Sequence, residues 1–84
     1  MRWSPEVREE NRKIRQLRLM VDFTIQILYQ EKDLTFTRGV MYIRQARDFA
    51  ETLFPEKSHV FDLIYKPRMM RVLAERGLIP GETN

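Results

Sequence analysis

The stretch SPEVREENRKIRQLRLMVDFTIQILYQE, residues 4–31, decides how the rest of the chain folds. It opens with a helix start signal. Ser4 can cap, Pro5 suits the first helical position, and Glu6 complements the positive end of the helix dipole. Trp3 stands just before the cap, where it can staple over the first turn. Ile14, Leu17, Val21, Ile25 and Leu28 then recur at helical spacing. Met20, Thr24, Ile27 and Phe23 widen that face to near half the circumference. Arg15, Asp22, Gln26 and Gln30, with Leu19 among them, form the outer strip. A surface helix needs an apolar stripe only about 100° wide, so Leu17 to Tyr29 is expected to touch two neighbours.

The half from Pro5 to Arg18 is different. It is almost all charge, with only Val7, Ile14 and Leu17 to bury. Val7 and Ile14 continue the line of Val21 and Leu28 at steps of seven, while Glu10 interrupts the heptad. Glu9 and Lys13 can pair at i,i+4 and support the helix without packing. The stretch therefore predicts one long helix, half core element and half charged arm.

Downstream, Glu31 to Leu34 reads as a turn. Asp33 or Thr35 caps a second helix that runs to about Phe54 and stops before Pro55. Its inner face is Phe36, Val40, Ile43, Ala46, Phe49, Ala50, Leu53 and Phe54. Gly39 and Ala46 read as points of close approach to the first helix. Arg44, Gln45, Asp48, Glu51 and Thr52 point outward. Ser58 is expected to cap the next helix. The apolar set Val60, Phe61, Leu63 and Ile64 precedes Pro67, and the set Met69, Met70, Val72 and Leu73 lies beyond it. A continuous helix would set them on nearly opposite sides, and Pro67 removes an interior hydrogen bond. Two short helices are expected, about 58–66 and 67–76, with a kink or tight turn between. Gly77 then ends the last one in the left-handed conformation, with Leu78 or Ile79 folding back.

Length and composition bound the rest. An 84-residue chain has a small core and gains from self-association. With 43% hydrophobic and 32% charged residues it is not disordered by composition. The absence of cysteine rules out disulfide staples and thiolate chemistry and fits a reducing compartment. Arg18, Asp22 and Gln26 break the most apolar run, so no membrane span is expected. The start lacks the apolar core of a signal peptide, and a cytoplasmic protein is expected.

No catalytic, metal or cofactor motif emerges. His59 has only Asp62 nearby, with no Glu-x-x-His or His-Glu-x-x-His pattern. Asp48, Glu51 and Glu56 could converge near the end of the second helix, but they lie on its polar side. Tyr65 and Arg68 beside Pro67 suggest a docking notch or the closing edge of a core. The basic residues offer a further reading. Arg12, Lys13 and Arg15 on the arm, with Arg68 and Arg71 on the last helix, could contact phosphates. Glu6, Glu9, Glu10 and Glu75 interrupt both basic sets.

The expectation is a small all-α bundle, one domain over residues 1–84, with residues 1–3 and 80–84 frayed. It is expected to act without catalysis or cofactor, as a helical module for protein–protein interaction or oligomerisation. A homodimer would meet along Val7, Ile14, Leu17 and Val21. A small basic nucleic-acid-binding protein is the alternative.

Overall fold

The computed structural model describes residues 4–81. The staple expected of Trp3 and the fraying expected of residues 1–3 and 82–84 lie outside the described residues. Helix α1 runs over Pro5–Gln30. Its start matches the sequence signal: the Val7 N–H donates to Ser4 Oγ at 3.2 Å, and Pro5 holds the first position. Helix α2 runs over Phe36–Leu53. Thr35 is its cap, accepting from the Arg38 N–H at 3.2 Å, and the helix ends at Phe54 before Pro55.

The turn between them sends α2 back along α1. Arg38 at the start of α2 pairs with Glu31, and Phe54 at its end lies beside Lys13. The rest of the chain returns parallel to α1. Tyr65 shares a groove with Ile14, and Arg76 reaches the Leu28 carbonyl. The result is an up-down-up arrangement of three helices, with no strand among the described residues.

The third helix is joined and bent, and the chain makes no tight turn at Pro67. A single 3₁₀ turn, Pro55–Lys57, leads into α3, Ser58–Val60. A π turn, Phe61–Tyr65, then feeds α4, Lys66–Glu75. Winding begins at Pro55, so Ser58 sits inside the helix and caps nothing, unlike the expectation. In the π turn the Lys66 N–H donates to the Phe61 carbonyl, five residues back. Such a turn absorbs one extra residue and rotates everything after it by about 100°.

That slip resolves the conflict between the two apolar sets. Without it Met69 would lie about 80° around the helix from Phe61; with it the two come within about 20°. Phe61, Met69, Val72 and Leu73 are accordingly all buried. Leu63 and Ile64, expected inside, are turned out and stand 74% and 52% exposed.

The core joins these residues to Val21, Leu28, Leu34, Ile43, Ala46 and Ala50. Gly39 is a point of close approach, but to α4 rather than α1. A Cβ at position 39 would fall 2.6 Å from Leu73 Cδ2, inside van der Waals contact. The α4 end agrees with the expectation. Gly77 has φ 70°, the Leu78 N–H donates to the Leu73 carbonyl at 2.9 Å, and the Gly77 N–H donates to that of Ala74 at 3.0 Å. This pair of hydrogen bonds satisfies carbonyls that the helix leaves open. Leu78 and Ile79 pack back on the core. No helix among the described residues is long and apolar enough to cross a membrane.

Candidate interaction surface

The overhang of α1 stems from element lengths. At 1.5 Å per residue, its 26 residues span about 39 Å and the 18 residues of α2 about 27 Å. The bundle ends where Phe54 meets Lys13, whose Nζ stands 5.9 Å from the ring centroid. Pro5 to Arg12 therefore extend past α2. The described chain measures 51 × 23 × 19 Å. Val7 on this overhang and Ile14 just past its end are 36% and 39% exposed.

At the foot of the arm lies an apolar groove of about 250 Å³. Leu17, Phe54, Val60, Phe61 and Tyr65 line it, and Glu10, Ile14, Arg18 and Lys57 also border it. The Phe61 and Tyr65 rings are tilted at 45° with centroids 5.9 Å apart. The ammonium of Lys57 stands 6.0 Å from the Phe54 centroid, so two cations flank that ring. A ring carries negative charge on its face, and the contact favours cations there.

A bidentate ion pair fixes the π turn beside this groove. Arg47 Nε donates to Asp62 Oδ1 at 2.8 Å, and Nη2 donates to Oδ2 at 3.1 Å. The guanidinium holds the Asp62 carboxyl below the usual carboxylate range. Arg47 also reaches Glu51 at 3.4 Å. Asp62 thus serves α2, not His59. The far end of the bundle is tied twice. Arg76 Nη1 donates to the Leu28 carbonyl at 2.6 Å, at the end of a helix with no basic residue in its own last turn. Tyr29 Oη donates to Glu75 Oε1 at 2.7 Å, which raises the Tyr29 pKa above that of an ordinary phenol.

The described chain matches no family, no curated protein and no solved structure. The candidate site therefore stands on its geometry.

Of the residues expected along a dimer seam, Val7 and Ile14 reach solvent and Leu17 lines the groove. Val21 is 1% exposed and belongs to the intramolecular core, so it is closed to a partner. Among the candidates for phosphate contact, Arg12 pairs with Glu9 at 2.9 Å, displacing the expected Glu9–Lys13 pair, and holds the Glu9 carboxyl low. Lys13 is drawn to Phe54. Arg15, Arg68 and Arg71 are exposed and form no ion pair among the described residues. His59 is exposed, and no three His, Asp or Glu residues converge as for a metal among the described residues.

Sequence reasoning missed Phe54, Val60, Phe61 and Tyr65 as a shared surface. Phe54, Val60 and Phe61 read as ordinary core and Tyr65 as a docking notch or the closing edge of a core; the groove brings the four together with α1. It also placed Phe23 on the inner arc, whereas Phe23 is 61% exposed with Leu19 on the outside of α1.

Proposed function

We propose that this protein is a non-catalytic helical interaction module that self-associates through its arm and the groove at the foot of that arm. The observation that carries the reading is the groove itself. Aromatic and aliphatic side chains line an open channel beside a helix that overhangs its own bundle. Burying such surface is favourable by roughly 25 cal/mol per Å² of apolar area removed from water. A chain with so small a core gains from it. The lack of cysteine fits a reducing, cytoplasmic setting.

Light scattering is expected to give about twice the 10.2 kDa mass of one chain. Val7→Lys with Ile14→Lys is expected to halve the measured mass while leaving helicity unchanged, since both side chains are over a third exposed. A wild-type monomer at high concentration would sink the reading.

Phosphate binding is the second reading. It draws on Arg15, Arg68 and Arg71, which form no ion pair among the described residues. Retention of a nucleic-acid duplex at low salt, lost as salt rises, would favour it. No retention at low salt would remove it.

A further inference from the structure

We propose that the groove takes the arm tip of a second copy of this chain, that the exchange is reciprocal, and that the two arms run antiparallel. This rests on the self-association reading and adds partner, segment and orientation to it.

Charge complementarity picks the occupant. The groove is apolar along its floor, and at its border Arg18 and Lys57, with Lys13 next to it, outnumber the one bordering carboxylate, Glu10. Its natural ligand is an apolar helical segment that carries carboxylates. The arm tip of this chain is such a segment: Glu6 and Glu9 stand on either side of Val7, with Arg8 the one opposing charge from Pro5 to Glu9 and Arg12 paired to Glu9 behind it. The tip is helical and capped by Ser4, so docking it requires no new ordering of the backbone. A preorganised segment avoids much of the entropic cost of binding.

Symmetry then sets the orientation. Every copy carries both a tip and a groove. If tip and groove meet without reciprocity, the contact repeats into an open filament; a two-fold axis closes it. The groove faces Leu17, and the tip presents Val7. Residues 7 and 17 are equidistant from a two-fold axis beside Arg12, so Val7 of each arm lies against Leu17 of the partner subunit. In that arrangement the two Val7 side chains stand about 15 Å apart along the arms, and so do the two Leu17 side chains.

Exposed charges give a test that spares the fold. Tip reversal (Glu6→Lys with Glu9→Lys) and rim reversal (Arg18→Glu with Lys57→Glu) each mismatch both contacts of a homodimer. Each variant alone is expected to dimerise at least about tenfold more weakly. Mixed, they match at both contacts, and a heterodimer of near wild-type affinity is expected. A wild-type dimer with no recovery on mixing would overturn the arm exchange and leave self-association standing. A wild-type monomer would overturn both, and a mass that grows with concentration beyond two chains would overturn the closed two-fold.

Cross-linking tests the direction independently, because the chain has no cysteine of its own. Val7→Cys and Leu17→Cys are expected to form a disulfide with each other when mixed, and neither with itself. A disulfide needs Cα atoms within about 7 Å. Self-linking of Val7→Cys alone would indicate parallel arms and overturn the orientation.

Discussion

A single hydrogen atom at position 39 sets how closely the third helix approaches the second. Glycine inside a helix is about 1 kcal/mol worse than alanine, so Gly39→Ala in isolation would favour α2. Here the added methyl would land 2.6 Å from Leu73 Cδ2, so the Leu73 side chain, 0% exposed in the core, would have to shift. Overpacking a tight core costs about 1–3 kcal/mol. Gly39→Ala is expected to destabilise by about 1 kcal/mol, the overpacking exceeding the propensity gain. Thermal unfolding checks it, and a raised midpoint would refute the close contact. The inward side of Gly39 was legible from its spacing with Ile43 and Ala46. Its partner was not, because spacing names a face and not the element that meets it.

At the scale of the element, the π turn is the least legible feature and the most consequential. The sequence shows the conflict between the apolar sets around Pro67, but two different backbones relieve it. A break separates the two sets into independent helices; a one-residue slip rotates the second set into line with Phe61. The slip retains helical continuity and turns out Leu63 and Ile64. Asp62, inside that turn, is held to α2 by Arg47. Its folded-state pKa is depressed, so the tie contributes fully above the unfolded carboxylate pKa of about 3.9. That contribution is lost as pH falls through the lower folded value. Asp62→Asn is expected to lower the unfolding midpoint by a few degrees at pH 6. The difference from wild type is expected to shrink as pH falls below about 3.9 and on through the lower folded value. An unchanged midpoint at pH 6 would show that the pair contributes nothing to holding the turn.

Across the whole molecule, the mismatch between helix lengths dominates. The bundle covers the inner face of α1 from Leu17 onward, meets Lys13 through Phe54, and leaves Val7 and Ile14 over a third exposed. Dimer formation stabilises the folded state by mass action, so the unfolding midpoint is expected to rise with protein concentration. In Val7→Lys with Ile14→Lys the midpoint is expected to be lower and independent of concentration. Calorimetry over a hundredfold dilution range checks both, and a constant wild-type midpoint would count against a folded dimer.

The features legible from residues alone are local ones. The Ser4 and Thr35 caps, the stop before Pro55 and the left-handed Gly77 each depend on one or two neighbouring residues. The buried faces of α1 and α2 arise from periodicity within one element, and Phe23 was misread because a wide arc exceeds what two neighbours can cover. Packing in three dimensions settled which helix Gly39 receives, where Arg47 and Arg76 anchor, and how the third helix passes Pro67. It also brought Leu17, Phe54, Phe61 and Tyr65 to one groove at the foot of the arm. Those outcomes depend on relative lengths and on contacts between residues far apart in the chain, and helical periodicity carries no information about either.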